Sequence, residues 1–385
     1  MTIHSKKYFC YEIFKNIAIW SKKGKLSYNP CSFYNGFIKT TDTFDLHQVW
    51  NNTEHTKLKT DIKNDIPIDG CRSCYDQEKH GLVSRRIATK NAHELFFKNT
   101  DIDLDTPSSI DYSVGNLCNL KCIICNPSNS TSWLADWQKL YPDEDSDQYK
   151  FDKFNQIEVI DTDLLKNITN VHFHGGGEPL LSSSHVNLLK AIKQAKGLQD
   201  VRVYYNTNGT VRVSEEVLHL WEECRLIELY FSIDDIEKRF EYQRTGARWD
   251  DLKLNIEWYK NNMPSNHLFK INCVWSYLNL FYLDELVNWH SANFATNRLG
   301  DDTLLIFQKA FSDCRIDSAS DATINILLKK FEKYPELLNL VNTITRDNSS
   351  THHVFLNYIS KIDKIRNTNF YDLCPDWAEI LTSIN

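Results

Sequence analysis

The chain has 385 residues, of which 42% are hydrophobic and 25% charged, and its formal net charge is −7. This is the composition of an ordinary soluble globular protein of about two or three domains. The acidic balance speaks against a protein-wide nucleic-acid footprint, and no apolar run approaches the roughly 18 residues of a membrane span.

The opening MTIHSKKYFC lacks the apolar h-region of a secretory signal, so the expected location is cytoplasmic, without membrane attachment. In that setting eleven cysteines point to metal or redox chemistry rather than to a disulfide framework. Seven of them precede residue 126: Cys10, Cys31, the Cys71-x2-Cys74 pair, and Cys118, Cys122 and Cys125.

Residues 1–80 hold short strand-like runs (Asn16–Trp20, Gly36–Lys39) broken by turn residues such as Lys23-Gly24 and Asn29-Pro30. Their apolar content is small for an independent core, so a metal is a plausible staple. Residues 81–100 read as a helix, and the polar stretch 100–109, with Pro107, reads as a linker.

From residue 110 strands alternate with helices. Strands are expected at 110–114, 171–174, 201–205, 226–232, 268–275 and 303–307, and helices at 183–196, 214–223 (Ser214 as N-cap), 249–261 and 281–292. Six such units predict a parallel sheet with helices outside, either doubly wound or a partial barrel, with ligands at the carboxyl ends of the strands. The acidic stretch 135–155 reads as an irregular exposed insertion, and 321–366 as amphipathic helix.

Chemistry concentrates in residues 111–133, DYSVGNLCNLKCIICNPSNSTSW, where three cysteines fall at C-x3-C-x2-C spacing directly after a strand. Three thiolates can hold three corners of an iron–sulfur cube and leave one iron open. A structural zinc site prefers four ligands, and a ferredoxin-type run needs a fourth cysteine nearby. The second strand runs through His172-Phe173-His174 into Gly175-Gly176-Gly177-Glu178-Pro179. Glycines there let backbone approach a ligand, and a carboxylate there can pair with an ammonium group. No Gly-Lys-Ser/Thr follows, which argues against a P-loop.

Together these elements resemble the radical S-adenosylmethionine (SAM) superfamily. The resemblance covers residues 110 to about 310 and implies a partial (β/α)6 barrel. It implies that Cys118, Cys122 and Cys125 act as catalytic metal ligands holding a [4Fe–4S] cluster whose open iron binds SAM. Gly176, Gly177, Glu178 and Pro179 match the element that receives the SAM amino group. Asn206 and Asn208, in NTNGT, match the element near SAM on the third strand. Ser232 and Asp234, in SID, match the element that meets ribose or substrate. Arg244 resembles an arginine that faces the SAM carboxylate. Ile124 stands where many members have an aromatic residue, and an aliphatic side chain there still packs against adenine.

Cys10, Cys31, Cys71 and Cys74 supply four ligands, enough for a structural zinc or a full cluster. Their surroundings, from FCYEIFKNIAIWSKKGKLSYNPC to DGCRSCYDQEKHGLVSRR, resemble the twitch/SPASM modules attached to radical SAM barrels, although those follow the barrel and this one precedes it. The resemblance implies an auxiliary [4Fe–4S] cluster, with zinc as the alternative.

The expected architecture is α/β: a small cysteine-rich α+β module at 1–100, the barrel at 105–312 and a helical C-terminal region at 313–385. Cys224 and Cys273 read as buried inert thiols, and Cys314 and Cys374 are not taken as ligands. His172 and His174 share one strand face and read equally as substrate-facing groups or satisfied core histidines. The resemblance implies reductive cleavage of SAM to a 5′-deoxyadenosyl radical that abstracts hydrogen from a ribosomally made peptide, with an electron donor such as flavodoxin or ferredoxin. The alternatives are the same chemistry on a small metabolite, sugar or nucleotide, or a non-catalytic iron–sulfur or zinc module.

Overall fold

In a computed structural model of the chain, the described residues are 6–22, 25–36, 38–41, 45–79, 83–96, 105–113, 115–149, 163–294, 305–310, 312–347 and 352–383. The expected turn at Lys23-Gly24, the strand end at Val114, linker residues 100–104 and the acidic run from 150 onward lie outside them.

Nine strands form one sheet: β1 (Asn16–Lys22), β2 (Lys25–Asn29), β3 (Lys39–Thr41), β4 (Ser109–Ser113), β5 (Asn170–Phe173), β6 (Arg202–Thr207), β7 (Leu226–Ser232), β8 (His267–Trp275) and β9 (Leu305–Lys309). Their order is β3-β2-β1-β4-β5-β6-β7-β8-β9. The pairs β1–β4, β4–β5, β5–β6 and β8–β9 are parallel, whereas β1–β2 and β2–β3 are antiparallel. Parallel neighbours need crossover connections. Helices Ser184–Lys196, Glu215–Glu222, Trp249–Asn262 and Leu283–Asn293 supply them between the later strands. The α/β architecture with a parallel central sheet is therefore as the alternation predicts.

The chain divides into two compact units. The first comprises residues 1–116, 151–205 and 214–227. Its strands obey the period of two: Ile110 and Tyr112 of β4, and Val171 and Phe173 of β5, are buried on one face. Asp111 and His172 take the other face. Full burial of a side chain such as Phe173 contributes about 1.5–3 kcal/mol. Phe173 stacks on Tyr205, with ring centroids 4.8 Å apart. The Tyr205 hydroxyl, buried in that core, accepts from Trp221 Nε1 at 3.2 Å and lies 3.1 Å from His185 Nδ1. The helix Glu215–Glu222 opens as expected, with the Ser214 side chain accepting from the Val217 N–H.

The first 80 residues depart from expectation. They carry helices Leu46–Trp50, Thr53–Lys63 and Arg72–Lys79 where only strand-like runs and turns were legible. Thr53–Lys63 is almost wholly polar and buries only His55, Leu58 and Ile62, so its periodicity is faint. Side-chain caps from Asp45 and Asn52 start the first two of these helices. A small core of Phe9, Tyr11, Ile13, Phe14, Leu58 and Ile62 lies beneath them. The expected strand Gly36–Lys39 is shifted: the strand is Lys39–Thr41.

The second unit comprises residues 117–150, 206–213 and 228–385. The segment 321–366 contains the helices Asp321–Lys330, Pro335–Val341 and His352–Arg366, matching its amphipathic pattern. The stretch from residue 135 is a correction. Leu134–Leu140 is a helix rather than an irregular insertion, because Asp136 is drawn inward by Lys121 and Arg366, at 2.9 and 2.8 Å. Cys273, Cys314 and Cys374 are buried here, as Cys224 is in the first unit. Burial raises all four thiols, Cys224 and Cys314 to about 12, which suits inert core residues.

Candidate active site

Within the second unit the loop carrying Cys118, Cys122 and Cys125 is fixed by its own backbone. Lys121 N donates to Thr245 O at 3.0 Å and Ile123 N donates to Gln243 O at 2.8 Å. The loop therefore lies against the segment that presents Arg244. Trp133 Nε1 donates to Cys122 O at 2.8 Å, Ser132 Oγ to Cys118 O at 2.8 Å and Tyr358 Oη to Ile123 O at 3.0 Å. With their carbonyls satisfied from behind, the residues between the thiols have little freedom to reorganise.

The thiols also have donors of their own. Leu120 N lies 3.4 Å and Asn208 Nδ2 3.8 Å from Cys118 Sγ, and Arg244 Nη1 lies 3.9 Å from Cys122 Sγ. Cys122 is held below its ordinary pKa, chiefly by a hydrogen bond with Cys125 and further by the Arg244 guanidinium; Cys125 is raised by the same contact. A three-thiol loop with N–H donors on sulfur has the donor chemistry of a [4Fe–4S] site.

Asp234 and Arg244 form one buried pair, 2.8 Å apart. Asp234 also accepts from Val274 N at 2.8 Å, and its carbonyl accepts from Asn279 Nδ2 at 2.7 Å. Thus Arg244 is spoken for by a carboxylate of the chain itself while remaining beside Cys122. Asn208 bridges to Asn119 Oδ1 at 3.0 Å and accepts from Thr210 N at 2.9 Å. Ser232 and Asn206 are half-buried at the ends of β7 and β6, and Ile124 is half-buried between Ile123 and Cys125.

In the first unit, β5 runs into Gly175-Gly176-Gly177-Glu178-Pro179. All three glycines have positive φ, with +55° at Gly176. A Cβ on Gly176 would stand 2.6 Å from the Gly115 carbonyl oxygen, so only glycine permits this close passage of two backbones. Glu178 is buried and accepts from Leu180 N at 3.2 Å, starting a short turn at Pro179.

The same unit brings Cys10, Cys31, Cys71 and Cys74 around one small cavity, together with Glu12, Arg85 and Arg86. Burial pushes up the thiols of Cys10, Cys31 and Cys71, the last to about 12. Such thiols ionise readily only when a cation takes the charge. Two arginines and four sulfurs in one enclosure fit a polynuclear or mononuclear thiolate centre. Arg85 is half-buried between Glu12 and Asp111, each at 2.9 Å.

Several residues with no motif shape these sites. Arg366 donates to Asp136 and to Thr245 Oγ1 at 3.0 Å, and lies over the Trp133 ring at 4.4 Å. With Tyr358 it ties the helix His352–Arg366 to the cysteine loop. Nothing in the tail sequence signals this. Asp111 was hidden in an ordinary strand.

A parallel α/β sheet whose first strand of the repeating series, β4, leads into a three-cysteine loop defines the class. Residues 112–274 match the model of the Radical SAM superfamily, so this part of the chain carries a radical SAM domain. The family implies a [4Fe–4S] cluster and SAM. No protein of curated function matches the chain in sequence. Among solved structures, anSMEcpe with bound AdoMet is similar at 16% identity and a TM-score of 0.38, over 62% of this chain and 63% of that one. Streptococcus suis SuiB bound to S-adenosylmethionine is similar at 15% identity and a TM-score of 0.36, over 86% and 69% of the two chains. The same SuiB bound to precursor peptide SuiA gives 14%, a TM-score of 0.37, and 91% and 76%. The chain thus spans about 63% of the length of the anSMEcpe structure. Among the described residues no helix is long and apolar enough to cross a membrane.

Proposed function

We propose that this protein is a radical SAM enzyme that modifies a side chain of a ribosomally made peptide. The observation that carries the radical reading is the rigid loop of Cys118, Cys122 and Cys125 beside Arg244 within the matched domain. These three residues would hold the cluster. When bound, the cluster and SAM supply one-electron cleavage of the sulfonium and a carbon radical for hydrogen abstraction.

The chain's own residues have separate tasks. Arg244 and the N–H donors of Leu120 and Asn208 stabilise negative charge on sulfur. Gly176 keeps the backbone after β5 close to the Gly115 carbonyl. Within the second unit Asn206, Asn208 and Ser232 are the polar groups that would face SAM, with Ile124 beside the adenine, while Asp234 holds Arg244 in place. Trp133 and Tyr358 exclude the loop carbonyls from water.

The peptide class rests on the resemblance of the N-terminal cysteines to a twitch/SPASM module, which is analogy. It is supported by the gathering of Cys10, Cys31, Cys71 and Cys74 at one cavity. The four cysteines would hold an auxiliary [4Fe–4S] cluster, with a structural zinc as the alternative that four thiolates also admit. An electron donor such as flavodoxin or ferredoxin would serve the enzyme.

The test is anaerobic reconstitution followed by SAM and dithionite. Formation of 5′-deoxyadenosine supports the reading; a fully clustered protein that leaves SAM intact overturns it. Incubation with candidate precursor peptides, read by mass spectrometry, tests the substrate class.

A further inference from the structure

One group of side chains outside the cysteine sites has the composition of a metal centre. Asp111 on β4 and His172 on β5 are register partners, and His174 follows two residues on, toward the same side of the sheet. Asp111 Oδ1 lies 3.7 Å from His172 Nδ1, and Asp111 Oδ2 lies 3.8 Å from His174 Nε2. Among the described residues, this is the one group of three potential ligands whose donor atoms all lie within 4.8 Å of one another.

The spacing discriminates between two readings. A directly hydrogen-bonded Asp–His pair would bring these atoms to roughly 2.7–3.2 Å. Donor atoms that share an ion, with bonds of about 2.0–2.2 Å, stand ~3–3.6 Å apart. The observed separations lie nearer the second range. His174 Nε2 is buried and has no hydrogen-bond partner, an unusual condition for a polar atom in a folded interior.

The charge state suits a ligand set. Burial, with His172 adding to it, lowers the His174 pKa to about 3, leaving the neutral imidazole that binds metals. The Asp111 carboxyl lies well below its ordinary value; burial opposes this, and Arg85, with His172 and His174 adding to it, outweighs burial. Arg85 is itself matched by Glu12 at 2.9 Å. The guanidinium therefore holds the carboxylate in place without cancelling the charge of the whole group. Trp20 packs edge-on against His174, with centroids 5.5 Å apart, and fixes that ring. Such supporting contacts are what hold ligands in position.

We propose that Asp111, His172 and His174 bind one divalent first-row transition-metal ion. Two imidazoles and one carboxylate leave coordination positions open. This site shares no residue with either cysteine set, so it stands or falls independently of the radical reading.

The experiment uses cluster-reconstituted holoprotein, in which the ligating thiols are occupied. It is dialysed to equilibrium against Mn(II) or Zn(II), and retained metal is counted by mass spectrometry. About one equivalent beyond the cluster iron is expected, lost in His174→Ala and in the near-isosteric His174→Gln, with the iron count and circular dichroism unchanged. Mn(II) bound to wild type should also lose its free-ion electron paramagnetic resonance signal, and the variants should restore it. Wild type that retains neither ion overturns the proposal, as does undiminished retention by a folded His174 variant.

Discussion

Arg244 Nη2 lies 2.8 Å from Asp234 Oδ2, and both side chains are buried. The pair sits beside Cys122, so it couples the stability of the fold to the charge on the Cys122 sulfur.

Removing one partner leaves an uncompensated buried charge. Arg244→Ala should destabilise the protein by about 3–5 kcal/mol, and Asp234→Asn combined with Arg244→Met should recover part of that loss. Thermal melts of the apo protein measure both. In the single variant the Cys122 thiol should also ionise at higher pH, seen as slower alkylation at neutral pH.

Iron counting separates the two cysteine sets. Wild-type protein should carry about eight irons, and Cys122→Ser and Cys71→Ser about four each, through loss of different clusters. About four irons and one zinc in wild type would assign the N-terminal cysteines to zinc.

The clamp from the C-terminal helix should protect the loop. Tyr358→Phe removes the donor to Ile123 O and should cost about 1 kcal/mol. Arg366→Ala leaves Asp136 with Lys121 alone and should cost more, about 3 kcal/mol. Both should accelerate loss of iron from Cys118, Cys122 and Cys125 to a chelator, and neither should affect iron held by Cys71.

Two buried histidines make the fold sensitive to acid. Burial lowers His55 and His185 to about 4, against about 6.5 in the unfolded chain. Between these values the unfolded state binds more protons, so stability rises with pH there. It is lost as pH falls from 6.5 toward 4, by up to about 3 kcal/mol for each group. Denaturant midpoints across that window should fall with acidification, and His185→Gln should reduce the slope.

Gly176→Ala should be poorly tolerated. At φ +55° an alanine costs roughly 1 kcal/mol, and its Cβ would also press on the Gly115 carbonyl at 2.6 Å. A lowered melting temperature with the parallel-sheet dichroism retained is expected.

The legible parts of this protein were local. The C-x3-C-x2-C spacing, the glycines after β5 and the alternation of strand and helix each lie within a few consecutive residues, and backbone period and ligand spacing are properties of such short stretches. The spacing of Cys118, Cys122 and Cys125 is therefore legible without coordinates. The helices Thr53–Lys63 and Leu134–Leu140 were missed because their burial comes from distant partners rather than from their own periodicity.

The tertiary structure decided what is brought to those loops. Arg366 reaches Asp136 across 230 residues of sequence, and Arg85 joins Glu12 to Asp111 across 73 and 26. Whether an aspartate in a strand is a solvated charge, an ion-pair partner or a metal ligand depends on which side chains the closed chain sets against it. Electrostatic energy falls with distance through space, not along the sequence, so these assignments exist only once the sheet has formed.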